Sequence, residues 1–193
     1  MKKVFIMLLF VAVSAFAAMP EDLIGKKFID VYGKDEKGKI VKLSDVAGKG
    51  KPVVVVYWAI GDVDTYKVLP EINKIGKKYK DKIILIAPLL SVSDDKEVKE
   101  AKKLLHFEFP VWLAGSDSIK AYSIGKVDVP YIVFIDKDGT IKNIMVTARD
   151  LKKIEENIKN LIKWIFIFYA FLGSLFAGLA TVIGAFPVLI GKK

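Results

Sequence analysis

The side chains that most often perform chemistry in proteins are scarce in this chain of 193 residues. It has no cysteine and a single histidine, His106. Because thiolate attack and dithiol exchange both need sulfur, the sequence excludes them. A lone histidine offers neither a catalytic triad nor a set of metal ligands. We interpret His106, which lies between Leu105 and Phe107, as packed at the end of a helix.

Two carboxylates, Asp62 and Asp64, are the other candidates for chemistry. They lie where a helix is predicted to begin, and carboxylates at that position cap the helix and interact favourably with its dipole. No histidine or further carboxylate is connected to them by a recognisable motif. We therefore interpret both as helix-capping residues, and we predict no catalytic residue, no metal site and no cofactor.

The elements that position these carboxylates are a strand and the helix that follows it. Residues 53–56 are all valine, which predicts a strand covered on both faces in the middle of an α/β sheet. After residue 62, apolar residues recur at helical spacing and lysines fill the opposite face. These apolar residues are Val68, Ile72, Ile75 and Tyr79. Pro70 falls inside the pattern and is expected to kink the helix.

The order of these features resembles the active-site region of the thioredoxin-like thiol-disulfide oxidoreductases of the TlpA and redoxin (AhpC/TSA) type. In that family a strand is followed by Trp-Ala, a two-cysteine motif and a helix containing Met-Pro-Glu-Leu. Here Trp58-Ala59 and Leu69-Pro70-Glu71-Ile72 match without a gap, so the two cysteine positions fall on Asp62 and Thr65. The resemblance implies a thioredoxin-like α/β fold, with a central mixed sheet flanked by helices. The two substitutions remove the thiol chemistry of the family.

The resemblance extends from about Ile24 to Leu161. Residues 83–88 predict a second buried strand, and residues 109–113 resemble the Phe-Pro-Val strand of the family. Residues 116–124 predict a short helix with Ser116 or Asp117 as its N-cap. Residues 94–105 predict a helix with one apolar face. That face consists of Val98, Ala101, Leu104 and Leu105.

A second motif of the family is the pair Val129-Pro130, followed by a strand and the turn signal Asp138-Gly139. In the resembled family this proline has a cis peptide bond and faces the two cysteines, and substrate peptide pairs with the backbone of its loop. The resemblance therefore implies a cis bond before Pro130. It also implies a shallow groove for a peptide or partner protein. The residues expected to line this groove are Trp58, Asp62, Asp64, Val129 and Pro130.

The N-terminal segment has the pattern of a secretory signal peptide. Lys2 and Lys3 precede an apolar stretch over residues 4–13, and Ala15-Phe16-Ala17 forms a small-residue cleavage site. We therefore predict a signal peptide over residues 1–17 and an exported domain over residues 18–161. The absence of cysteine does not oppose export, because a domain of this size needs no disulfide.

The C-terminal part begins as a helix, predicted over residues 147–158 with Thr147 as its cap and Asp150 in its first turn. Residues 164–190 then form a segment without a charged residue, and this segment is long enough to cross a bilayer. We predict a transmembrane helix and short cytoplasmic tail over residues 162–193. With the signal peptide, this predicts a domain held in the periplasm or otherwise outside the cytoplasmic membrane.

Part of this apolar segment has a weaker resemblance of its own. Residues 176–189 are similar to the first membrane helix of ZIP-type metal transporters, and the small-residue pairs Ser174/Gly178 and Ala180/Gly184 have the spacing of closely packed membrane helices. Small-residue pairs are also ordinary in membrane helices. Without the later helices that carry metal ligands, this resemblance does not assign transport.

The formal net charge of +9 arises almost entirely from lysine. It favours an anionic membrane surface or an acidic partner, while the predicted export disfavours nucleic acid. Two functions stay open, and neither fixes an oligomeric state. One is a redox-inactive, membrane-anchored thioredoxin-like module that binds a peptide or protein. The other is an accessory domain of a membrane transport system, as in a truncated fusion to a ZIP-type transporter.

Overall fold

A computed structural model describes residues 19–90, 95–125 and 128–163. The predicted signal peptide and the uncharged segment 164–190 lie outside these residues. Within the described residues, no helix has the length and apolarity needed to cross a membrane.

The described residues form one mixed sheet of seven strands in the order β2-β1-β5-β4-β3-β6-β7. Strand β3 pairs in parallel with β4, and β4 in parallel with β5, while the other pairs are antiparallel. The strands are β1 Tyr32–Lys34, β2 Ile40–Lys42, β3 Val53–Tyr57, β4 Ile84–Leu89, β5 Val111–Ala114, β6 Tyr131–Ile135 and β7 Ile141–Met145. This arrangement confirms the predicted thioredoxin-like α/β fold with a central mixed sheet.

The helices are α1 Val63–Tyr79, α2 Asp95–Leu104, α3 Ser116–Ala121 and α4, whose described part covers residues 151–163. Single 3-10 turns cover Pro20–Leu23 and Leu43–Asp45. Apolar side chains of α1, α2 and α4 pack on one face of the sheet, and the residues around α3 pack on the other. The sheet is therefore covered on both faces.

Strand β3 is the central element of this sheet. All five of its residues are buried, as the run of valines predicts, because β4 and β6 flank it and helices cover both faces. Helix α1 follows directly and continues through Pro70. Its buried residues include Val68, Leu69 and Ile72. The predicted strand-to-helix unit around position 62 is confirmed.

Three local predictions about helix ends are wrong. The N-cap of α3 is Gly115. The side chain of Asp117 instead accepts a hydrogen bond from the N–H of Tyr32, at 2.9 Å. Helix α4 begins at residue 151, after Asp150, whose Oδ1 accepts from the N–H of Lys153 at 3.1 Å. Thr147 lies outside the helix with a positive φ of 45°.

Two side chains near the end of α2 are also more exposed than the sequence indicates. Leu104, predicted on the apolar face, is 66% exposed. His106 is exposed and has a φ of 49°. Its backbone, not its ring, is fixed, because Asn73 Nδ2 donates to the carbonyl oxygen of His106 at 2.6 Å. The helix ends here by turning sharply into β5, which places His106 on the surface.

Candidate functional site

The residues predicted to form the site lie at one end of the domain, which we call the site end. It comprises residues 58–65, 128–130 and 146–149. Strand β3 ends there and α1 begins there, while β6 starts beside it because Tyr57 pairs with Tyr131. The topology therefore brings the two cysteine positions of the family and the loop of Pro130 to the same end of the sheet.

Trp58 anchors this end from inside the domain. Its side chain is completely buried, and its Nε1 donates to the carbonyl oxygen of Ala87 at 3.1 Å. Its backbone N–H donates to Pro88 and its backbone oxygen accepts from Leu90, so Trp58 continues the pairing of β3 with β4. The prediction that Trp58 lines a surface groove is wrong for its side chain, because none of it is accessible.

Asp62, at the first cysteine position, is the N-cap of α1. Its Oδ1 accepts a hydrogen bond from the N–H of Thr65 at 2.7 Å, which satisfies one of the unpaired donors at the start of the helix. Gly61 precedes it with a φ of 83°, a conformation that a residue with a Cβ rarely adopts. The prediction of a capping role for Asp62 is confirmed.

Asp64 does not cap the helix by a side-chain hydrogen bond but forms an ion pair with Nη2 of Arg149. This is the single arginine of the chain, and its side chain is well exposed. The pair connects the first turn of α1 to the segment that leads into α4. Sequence reasoning missed Arg149 because residues 64 and 149 are far apart in the chain and belong to no shared motif.

Thr65, at the second cysteine position, is completely buried. Its hydroxyl has no hydrogen-bond partner in the described part of the protein. A buried hydroxyl without a partner is destabilising, because it has lost its hydrogen bonds to water. The site thus contains a capping carboxylate and an isolated hydroxyl where the family has two thiols.

The peptide bond between Val129 and Pro130 is cis, as predicted. The carbonyl oxygens on either side of Val129 are occupied. That of Asp128 accepts from the N–H of Thr147 at 2.8 Å, and that of Pro130 accepts from the N–H of Ala148 at 2.7 Å. Neither the N–H nor the carbonyl of Val129 has a partner among the residues that the structure describes.

This alternation gives the unpaired groups of Val129 a direction. In extended backbone, successive residues direct their N–H and C=O groups to opposite edges. Strand β6 lies between β7 and β3, and residues 147–148 continue from β7. The polar groups of Val129 therefore face the side of β3 and the start of α1. Val129 and Pro130 are both buried, and Val129 is only 4% exposed over the whole residue, so its unpaired backbone groups have little contact with solvent.

Beside the start of α1 the surface has a shallow depression lined by Gly61, Val63, Tyr66 and Lys67. Val63 is 64% exposed, and Val146 across the site end is 37% exposed. The sequence pattern did not single out either valine, because an isolated exposed apolar residue has no signature of its own. The accessible part of the site end thus includes apolar side chains that lie near the unpaired backbone of Val129.

Behind the cis peptide bond three tyrosines pack together on the other face of the sheet. The ring centroid of Tyr57 lies 5.8 Å from that of Tyr122 and 6.2 Å from that of Tyr131. The Tyr131 hydroxyl donates to the carbonyl oxygen of Tyr122 at 2.9 Å. Burial raises the pKa of all three hydroxyls above the usual value for tyrosine, so they are neutral at pH 7.

Comparison with known proteins gives consistent results. The family model for the AhpC/TSA family matches residues 24–144. Over 139 residues the chain is 31% identical to the thiol-disulfide oxidoreductase ResA of Bacillus thuringiensis subsp. konkukian, covering 72% of this chain and 78% of that protein. It is 24% identical over 136 residues to the thioredoxin-like protein YneN of Bacillus subtilis, covering 69% of this chain and 78% of that protein.

Solved structures show the same fold. A putative protein disulfide isomerase from Bacteroides thetaiotaomicron superposes with a TM-score of 0.62 and 24% identity, covering 72% of this chain and 90% of that one. The thioredoxin domain of a thiol-disulfide oxidoreductase from Bacteroides vulgatus gives a TM-score of 0.62 and 22% identity, covering 72% and 97%. At this identity the likeness concerns the fold alone.

Proposed function

The chain belongs to the AhpC/TSA family but has no cysteine, and from this combination we propose that it is a thioredoxin-like module that binds an extended peptide without thiol chemistry. The absence of cysteine carries the first half of the proposal. The carboxylate of Asp62 and the hydroxyl of Thr65 cannot replace two sulfur atoms, because disulfide exchange requires a thiolate that attacks sulfur and a thiolate that leaves.

The unpaired backbone of Val129 supports the second half. A peptide strand that lies between residues 128–130 and the start of α1 would accept a hydrogen bond from the N–H of Val129. It would also donate one to the carbonyl oxygen of Val129. This mode of recognition adds a strand to exposed backbone and gains specificity from neighbouring side chains. Val63, Tyr66 and Lys67 would then contact the side chains of the bound peptide.

We further propose that the module lies outside the cytoplasmic membrane and is attached to it. The signal-peptide pattern of residues 1–17 and the uncharged segment 164–190 support this placement. In this arrangement the site end meets proteins or peptides of the exported compartment.

The absence of thiol chemistry is tested with an insulin-reduction assay. The natural protein should not exceed a blank without protein. The variant Asp62→Cys/Thr65→Cys should gain weak activity, because the start of α1 lowers the pKa of a thiol at position 62. The single variant Thr65→Cys is the matched control and should stay at the blank. Activity of the natural protein above the blank would contradict the proposal.

Peptide binding is tested by photocrosslinking in intact cells. Benzoylphenylalanine at position 63 should capture a protein, whereas the same residue at position 99, which is exposed on α2, should not. A peptide synthesised from the captured region should then shift the amide resonance of Val129 in the isotopically labelled protein. Capture at both positions, or a captured peptide that leaves Val129 unshifted, would reject this binding mode. Either result would favour the alternative function, an accessory domain of a transport system that makes its contacts through the C-terminal segment.

A further inference from the structure

The end of the domain opposite the site end collects lysines, and we call it the basic end. There the loop before β3, the end of α1 and the turn between β6 and β7 meet. Lys51 Nζ donates to the carbonyl oxygen of Lys80 at 3.3 Å, and the N–H of Gly50 donates to the carbonyl oxygen of Lys137 at 3.0 Å. The lysines of this end are Lys49, Lys51, Lys78, Lys80, Lys82, Lys137, Lys142 and Lys159.

Carboxylates at the basic end are fewer than lysines, and most form ion pairs. Asp136 pairs with Lys142 at 3.5 Å, and Asp138 pairs with Lys27 at 3.1 Å. Glu155 contacts both Lys78 and Lys159, at 2.8 and 3.3 Å. By contrast, Lys49 and Lys80 are exposed and form no ion pair with the described residues. An excess of positive charge therefore remains on this surface.

Contacts along α4 show that the helix runs toward the basic end. Asn157 donates to Met145 Sδ at 3.7 Å and accepts from Asn143, both in β7. Three residues later, Asn160 lies in a cleft with Lys142, near the start of β7. Because β7 runs away from its start toward the site end, α4 runs the other way. The chain therefore leaves the described domain beside the lysines.

The sequence that follows this exit has the composition of a membrane-inserted segment. Residues 164–190, directly after Lys163, contain no charged residue. A domain tethered at this end would hold its lysines next to the headgroups of a bilayer. Anionic phospholipids attract such lysines, and the attraction extends over about one Debye length, roughly 8 Å at physiological salt.

We propose that the basic end docks on the anionic phospholipid surface of the membrane and thereby turns the site end away from the bilayer. The docking rests on the membrane attachment proposed above, and it does not depend on which peptide the site end binds. A partner reaches the site end from the side of the aqueous compartment, and Arg149 and Val63 are accessible to it.

The absence of cysteine makes the test direct, because a single introduced cysteine is labelled without background. The full chain is placed in lipid nanodiscs that contain a nickel-chelating lipid, with a nitroxide at Lys82→Cys or at Val63→Cys. In discs with about 30% phosphatidylglycerol, nickel should enhance relaxation of the label at position 82 several-fold more than in phosphatidylcholine discs. About 1 M NaCl, where the Debye length is about 3 Å, should abolish this difference. The label at position 63 should respond to neither change.

Charge variants of equal size locate the effect. Lys49→Glu/Lys80→Glu should remove the dependence on phosphatidylglycerol, whereas Lys99→Glu/Lys120→Glu on α2 and α3 should retain it. Circular dichroism verifies that both variants are folded. Equal relaxation in neutral and anionic discs, equal effects of the two variants, or failure of the chain to associate with the discs would overturn the proposal. Failure of peptide capture at position 63 leaves all these outcomes unchanged.

Discussion

The site end and the basic end are built from opposite kinds of interaction. At the site end, buried Trp58, the capping carboxylate of Asp62 and the hydrogen bonds of residues 147–148 fix the backbone. At the basic end, exposed lysines surround a few surface ion pairs. The first set of interactions is directional and mostly shielded from water, and the second is diffuse and screened by salt.

This difference shows how the family framework persists without its sulfur atoms. In the family the two thiols occupy the first turn of a helix, where backbone N–H groups need partners. Asp62 supplies a partner directly, so the turn is stable without a thiolate. The basic end carries no such constraint, because surface lysines contribute little to folding. Substitutions at the two ends should therefore separate stability from association.

Truncation of the buried anchor should have the largest effect. Trp58→Ala removes an indole with no solvent exposure, together with its hydrogen bond to the carbonyl oxygen of Ala87. We expect the free energy of unfolding to fall by about 3–5 kcal/mol, measured by urea denaturation. Lys49→Glu/Lys80→Glu at the basic end should change it by less than about 0.5 kcal/mol. Similar losses in both variants would remove the contrast between the ends.

Loss of the helix cap should have a smaller effect. Asp62→Ala leaves the N–H of Thr65 without its acceptor, and we expect a loss of about 1 kcal/mol in the free energy of unfolding. Asp62→Asn is the matched control, since its side-chain oxygen can still accept the bond. If the alanine and asparagine variants are equally stable, Asp62 does not stabilise α1 through its cap.

The isolated hydroxyl of Thr65 predicts a gain in stability. Thr65→Val replaces it with a methyl group of similar shape, so the cost of burying an unpaired hydroxyl disappears and the free energy of unfolding should rise by about 1 kcal/mol. Thr140→Val, near the basic end, is the comparison. Its hydroxyl donates to Asp138 at 2.9 Å, so thermal denaturation should show a loss there. A loss in both variants would mean that the hydroxyl of Thr65 has a partner.

The sequence predicted those parts of the fold that depend on local pattern. The run of valines in β3, the cap at Asp62 and the turn at Asp138-Gly139 are each determined by a few neighbouring residues, whereas the cis bond before Pro130 was implied by the resemblance to the family. The prediction failed where a distant partner decides. Asp117 does not cap α3 because its carboxylate instead accepts a hydrogen bond from the N–H of Tyr32 in β1.

The candidate site was predicted less well than the fold, for the same reason. The unpaired backbone of Val129 follows from the bonds that residues 147–148 make on its other side, and no local pattern encodes those bonds. The burial of Trp58 depends on how β3 and β4 pair beyond the strand. The basic end is also invisible along the chain, because its lysines come from four separate segments that the sheet topology brings together.

The smallest predicted effect is a loss of stability in acid that arises at the basic end. Hydrogen bonds from Lys78 and Tyr79 lower the pKa of Glu155 from 4.5 to about 2, and the N–H of Thr140 with Lys27 lowers that of Asp138 from 3.8 to about 2. Because the unfolded chain then binds more protons, the contribution of these groups is complete above about pH 4.5 and is lost as the pH falls toward 2. Both side chains contact solvent, so the loss is modest.

Glu155→Gln/Asp138→Asn should flatten the decline of the melting temperature between pH 4.5 and 2. Asp81→Asn, which changes an exposed neighbour without an ion pair to the described residues, should not. An unchanged decline in the double variant would mean that carboxylates elsewhere cause it.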